Sequence, residues 1–185
     1  MDDIVKAALK KWPNVPHCYG WLALDARGEW YMRDDRTQAA GPFPRVKGSR
    51  ILHDKLREFI QRNYARDTNG CWYFQNGPQR VYVELEAAPW VWRLGADGAG
   101  ALRIESHTGL AASYSGAWLD EQGRLFVGTE LGLGIVHTLD METAADAIES
   151  RRWAVEELPF QALTARFGYR LSPANDRPTA AAEPS

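Results

Sequence analysis

The sequence predicts an α+β fold: antiparallel sheets with a few helices, laid out as two related helix-plus-sheet lobes in one compact unit. Three observations carry that expectation. Short runs rich in aromatic and β-branched residues recur between Gly, Pro, Asn and Asp punctuation, which is how strands and their turns read. Apolar residues fall at helical spacing in few places, most clearly at Leu52, Leu56, Phe59 and Ile60. A turn-plus-strand pattern also repeats. Asp25-x-x-Gly28-x-Trp30-Tyr31-Met32 matches Asp67-x-x-Gly70-x-Trp72-Tyr73-Phe74 and, more loosely, Asp120-x-x-Gly123-x-Leu125-Phe126-Val127. In each copy the Asp side chain can accept from turn amides, and the Gly can take the positive φ that starts the next strand. Three copies suit a repeated supersecondary unit and are too few for a propeller.

The elements follow in order. Ile4, Val5, Ala8 and Leu9 give a short amphipathic helix that Pro13 and Pro16 end. Residues 18–35 read as strand, tight turn at Asp25–Gly28, strand, followed by a loop rich in Gly and Pro at 38–49. Ser49 is placed to cap a helix over 50–66. A hairpin follows, with Trp72–Gln75 and Arg80–Glu86 as arms and the turn at Asn76-Gly77; Pro78 marks an edge or bulge. Further strands fit 89–95, 100–109, 115–123 and the run 124–139. A helix fits Met141 to Arg151 with Asp140 as its cap, and Pro159 can open a last short helix. The expected division is residues 1–94 for the first lobe, 95–170 for the second, and 171–185 as a disordered tail.

With 185 residues, 45% of them hydrophobic, the chain can bury a sizeable core. A net charge of -2 and a pI near 6.1 argue against a nucleic-acid partner, which normally calls for a basic face. No apolar run approaches a membrane span, mixed charges give no membrane-surface patch, and the N-terminus does not read as a secretory signal. Two cysteines, Cys18 and Cys71, make no disulfide framework, so a cytoplasmic location with reduced thiols is expected.

Most catalytic chemistries lack their parts. His17, His53, His107 and His137 form no ligand pair and no CxxC occurs, so neither metal nor other cofactor is expected. Ser113–Gly116 and Ser106-His107 carry no nucleophile elbow. The glycines of 94–101 read as a hairpin turn, and Gly132-x-Gly134 as a strand with close backbone approach, because neither opens a helix that could cradle phosphate. What remains is one strand face. Tyr82, Glu84 and Glu86 alternate with Val81, Val83 and Leu85, so the carboxylates share a side with Arg80 at its start. Trp90 and Trp92 share a face of the next strand, and an aromatic-walled groove rimmed by Arg80, Glu84 and Arg93 would suit a ligand or peptide. The candidate binding residues are therefore Arg80, Tyr82, Glu84, Glu86, Trp90 and Trp92.

The chain also resembles uncharacterised proteobacterial families known only as domains of unknown function. The resemblance rests on Gly28-x-Trp30-Tyr31, Leu56-x-x-Phe59-Ile60, Gly70-x-Trp72-Tyr73 and the run from Val83 to Val91, in that order, and extends from about Trp21 to Phe167. It implies repeated helix-plus-sheet modules, a signalling or ligand-sensing role, and no assigned catalytic residue. The leading expectation is a non-enzymatic small-molecule- or protein-binding module in bacterial regulation. The alternatives are a small hydrolase or isomerase using a carboxylate of the 80–86 strand, and a scaffold whose aromatic face forms a homodimer.

Overall fold

The computed structural model of the chain describes residues 1–176. Two mixed sheets face a common core. The first contains β1 (Cys18–Leu24), β2 (Trp30–Met32), β3 (Ser49–Arg50), β4 (Tyr64–Arg66), β5 (Trp72–Asn76) and β6 (Gln79–Leu85), in the order β3-β2-β1-β6-β5-β4. The second contains β7 (Trp90–Ala96), β8 (Leu102–Ser106), β9 (Ala111–Ala112), β10 (Tyr114–Leu119), β11 (Leu125–Thr129), β12 (Gly132–Val136) and β13 (Val155–Glu157), in the order β13-β10-β11-β12-β7-β8-β9. The helices are α1 (Asp3–Lys11), α2 (Asp35–Ala40), α3 (Asp54–Arg62), α4 (Met141–Glu149) and α5 (Phe160–Phe167).

Both sheets are wound the same way. Two antiparallel three-stranded meanders follow one another, and the last strand of the second pairs parallel with the first strand of the first. In the first sheet β6 joins β1, with Leu22 opposite Val83 and Leu24 opposite Leu85. In the second β12 joins β7, with Gly134 opposite Trp90 and Val136 opposite Trp92. These parallel seams, and a third between β13 and β10, refine the expected antiparallel sheets to mixed ones. The chain crosses between sheets at residues 86–89. The expected lobe boundary at Leu94 therefore falls inside β7, a strand of the second sheet.

The repeated turn is more frequent than expected. Five hairpin turns share one bonding scheme, at Asp25–Gly28, Asp67–Gly70, Asp97–Gly100, Ser106–Gly109 and Asp120–Gly123. In each, the glycine N–H donates to the carbonyl of the first residue, whose own N–H donates to the carbonyl just after the glycine. The side-chain oxygen of that first residue accepts two further backbone N–H groups, as from Gln122 at 3.0 Å and Arg124 at 2.8 Å for Asp120. All five glycines have positive φ, between 73° and 84°. The Asp97 copy is the glycine-rich segment read as a hairpin turn. The Ser106 copy lies outside the Asp-x-x-Gly pattern because serine stands in the place of aspartate.

Several boundaries differ from expectation for local reasons. Ser49 pairs in β3 opposite Met32, and α3 starts later, capped by the His53 side chain, which accepts from the Leu56 N–H at 3.3 Å. Asp140 precedes α4 without capping it, because its carboxylate takes the Arg93 guanidinium and the Leu94 N–H instead. Asp34 caps the unforeseen α2 by accepting from Thr37 N–H at 2.8 Å. The run 124–139 is not one strand but the hairpin of β11 and β12. Leu171 accepts from Leu85 N–H at 2.8 Å, and a 3₁₀ turn spans Pro173–Asp176, so residues 171–176 of the expected tail are part of the described fold. Its remainder, 177–185, lies outside the described residues.

Aromatics fill the space between the sheets. Tyr64 is the hub, with ring centroids of Trp72 at 4.7 Å, Trp30 at 5.3 Å, Trp90 at 5.7 Å and His107 at 5.9 Å. The Nε1 atoms of Trp30 and Trp72 are buried there without a polar partner, and ring faces are the weak acceptors at hand. Trp90 and Trp92 stack at 6.0 Å over the glycine-bearing β12, and their Nε1 groups donate to Leu131 and Val127 carbonyls, both at 2.8 Å. A Cβ on Gly134 would lie 2.3 Å from Trp92 Nε1 and 2.8 Å from the Trp90 Cβ, so the close approach read from Gly132-x-Gly134 has a definite cause.

Replacing Gly134 by Ala should thus destabilise the protein by about 1–3 kcal/mol, the usual cost of overpacking a core. Gly95→Ala, with no atom within 4 Å of the added carbon, should change stability by no more than about 0.5 kcal/mol. Urea midpoints of the two variants test the contrast. Asp120→Ala removes a buried carboxylate that accepts from two turn amides and pairs with Arg124, and should cost about 1–3 kcal/mol, more than Asp97→Ala at its exposed turn.

Candidate functional site

The six residues singled out from the sequence occupy three separate settings. On the outer face of the first sheet, Tyr82 is buried, stacks on Tyr19 at 4.7 Å and donates from its hydroxyl to Asp67 Oδ2 at 3.0 Å. Burial pushes its phenol up to about 12. Arg80 lies over the Tyr73 ring at 4.5 Å, so its plane is spent on a neighbour. Further along the same face, Glu84 is buried beneath the C-terminal segment, where the Ser172 hydroxyl and Ala174 N–H donate to its carboxylate. Its Oε1 has no hydrogen-bond partner.

Glu86 lies past the end of β6 in the crossing between sheets. It accepts from Ala26 N–H and Lys47 Nζ, each at 3.1 Å, and Lys47 also reaches Asp25 at 3.0 Å. The two carboxylates therefore have different partners, and neither pairs with Arg80 or Arg93. Trp90 and Trp92 are core residues of the second sheet, which removes Trp90 as the contact of an exposed dimer face. Arg93 is occupied by Asp140 at 2.6 Å. None of the six lines the apolar cavity beside α3, the polar cleft between the sheets, or the clefts beside Leu158, Arg170 and Leu133.

His107 also serves structure. Its Nδ1 accepts from Val91 N–H at 3.3 Å within the nest of Trp30, Tyr64 and Trp90. Burial of the ring holds its pKa down to about 3, so the imidazole is neutral with its proton on Nε2. No group of three or more metal-ligating side chains occurs among the described residues.

Two cavities stand out. The first, about 320 Å³, opens between α3 and the apolar face of the first sheet. Trp21, Met32, Leu56, Phe59, Phe74 and Val81 form its walls, with Cys18 and Asn76 adding polar atoms. Geometry explains why it exists. A nine-residue helix is about 13 Å long. Six strands about 4.8 Å apart span about 24 Å, so α3 cannot cover the sheet. Trp21 and Met32 are left 38% and 48% exposed. Alternation placed the sheet's polar face toward solvent in the sequence reading, whereas the described fold covers that face and leaves part of the apolar one open. The second cavity, about 550 Å³, is a polar cleft between the sheets.

Glu84 supplies a pH test. Burial raises its folded pKa, against the lowering effect of Ser172, Ala174 and Arg33. The folded state then holds the proton more tightly than the unfolded chain. The associated stability is complete below the unfolded pKa and is lost as pH rises through the folded one. Glu84→Gln should have a higher urea midpoint than wild type at pH 7, and the gap should close in acid below pH 4, where both side chains are neutral.

Comparison with known proteins places the chain. A family model described as "Protein of unknown function (DUF2946)" matches residues 1–174, and the chain belongs to that family. The crystal structure of a DUF1285 family protein from Silicibacter pomeroyi DSS-3 is similar, at 14% identity over 79% of this chain and 84% of that one, with a TM-score of 0.50. A DUF1285 family protein from Shewanella baltica OS155 matches at 12% identity, over 68% and 91% of the two chains, with a TM-score of 0.45. The former likeness is one of fold. No curated protein matches. No helix among the described residues is long and apolar enough to cross a membrane.

Proposed function

We propose that this member of the DUF2946 family is a non-enzymatic, cytoplasmic binding module, acting as a ligand sensor in bacterial regulation, and that its ligand is a small apolar molecule held between α3 and the first sheet. One observation carries this reading: the sheet's apolar face is open beside α3 as a groove of about 320 Å³ with aromatic walls and two polar side chains. Small-molecule sites are of this kind, concave and mostly apolar with a few polar groups that fix orientation. A part-exposed tryptophan and methionine stand at its mouth and continue its apolar wall to the surface. The carboxylates and arginines of the rival enzyme reading are engaged elsewhere and share no cavity.

Trp21 lines the groove and serves as its reporter. Titration with 1-anilinonaphthalene-8-sulfonate or a medium-chain fatty acid should change tryptophan emission saturably. Met32→Asp sets a charge at the groove mouth, at a position exposed enough to spare the core, and should weaken binding by about tenfold or more. Unchanged affinity in that variant, with its melting temperature preserved, counts against the groove. So does the absence of any saturable signal in the wild type.

A further inference from the structure

The polar cleft between the sheets is independent of the groove and has a different chemistry. One wall is α3. The other is formed by Arg93 and the Ser106–Gly109 turn, and the Asp25–Gly28 turn closes the base. Most ions around it are already paired. Arg93 is bound to Asp140 at 2.6 Å, Glu29 to Arg50 at 3.2 Å, Glu105 to Arg103 at 3.3 Å, and Arg57 to Asp54 within the first turn of α3.

Two of the cleft's ions have no charged partner among the described residues, and they have opposite signs: Arg27 at the base and Glu58 on the α3 wall. Arg27 makes a single side-chain hydrogen bond, from Nη1 to the Thr138 hydroxyl at 3.2 Å. That bond orients the guanidinium and leaves its other donors open. Gln61 lies one turn along α3 from Glu58, on the same helix face. Its Nε2 donates to the His107 carbonyl at 3.0 Å, which fixes the amide and leaves Oε1 as an acceptor.

We infer that this cleft binds a small zwitterion, an α-amino acid or a molecule of the same charge pattern, with its carboxylate on Arg27 and its ammonium between Glu58 and Gln61. The alternatives fit less well. A simple anion engages Arg27 alone and a simple cation Glu58 alone, whereas a zwitterion pairs with both. The lining carries arginines and carboxylates in near balance, so no net field favours one sign. The first turns of α3 enter the cleft with two carboxylates, Asp54 and Glu58, beside the helix amides, and that negative charge disfavours phosphates.

Calorimetric titration with the free amino acids, beside propionate and propylamine as carboxylate-only and amine-only probes, tests the assignment. At least one amino acid should bind, with both single-charge probes at least about tenfold weaker. Arg27→Gln and Glu58→Gln should each weaken that binding by about tenfold or more. Both positions are exposed, so the unliganded melting temperature and the fluorescent-probe titration of the apolar groove should not change. The exchanged pair Arg27→Glu with Glu58→Arg should bind better than Arg27→Glu alone, because a zwitterion can reverse in the cleft. No amino acid binding at millimolar concentration overturns the inference. Equal binding by propionate, or unaltered affinity in both single variants, does so as well.

Discussion

Everything in this fold hangs on one local arrangement: a side-chain oxygen at the start of a hairpin turn accepting two backbone N–H groups while a glycine three residues on adopts positive φ. Strands here are short, two to seven residues, and carry little intrinsic register. A turn that fixes its own hydrogen bonds sets the register for both strands it joins. Five such turns determine which residues of each hairpin face the core. The loops at Asp25 and Asp67 lead into strands whose first residue, Trp30 or Trp72, points into the aromatic nest around Tyr64. The turns also contact other parts of the fold. Gly28 faces His107 of the second sheet, and Gly70 lies under the Gly168 carbonyl beyond α5.

This local regularity is why much of the architecture could be read from the chain. Asp, Gly and an apolar residue at fixed offsets are a local signal, so the fold class, the hairpins at Asp25, Asp97 and Asp120, and the recurrence of a unit were legible. The parallel seams were not. Pairing of β6 with β1 depends on residues some sixty positions apart, and nothing near Leu22 or Val83 specifies the partner strand. The cap of α3 was misplaced because His53 does work usually given to Ser or Asp, and Asp140 was diverted from capping by Arg93.

The site was harder, for a physical reason. Alternation along β6 separates two faces but does not say which is covered. Tyr82 and Glu84 looked solvent-facing and are buried by Tyr19 and the C-terminal segment, while Val81 on the nominal core side reaches the groove. Charge in the sequence did not mark function either. Arg80, Glu86 and Arg93 are committed to Tyr73, Lys47 and Asp140, whereas Arg27 and Glu58 carry no such commitment and had no mark in the sequence: Arg27 fills an unspecified position of the Asp25–Gly28 turn, and Glu58 is one of several charges on α3.

The parallel closure of each sheet bears on how the chain comes to fold. β1 has β2 on one side as soon as the first hairpin forms, but its other edge stays open until β6 has been made. The same wait recurs for β7 and β12. Non-local strand pairing is slow, and a bare edge is adhesive while it lasts. During synthesis the first meander would therefore present Trp21, Leu22 and Leu24 to solvent, and the protein's window of vulnerability to aggregation closes only when Val83 and Leu85 dock beside them.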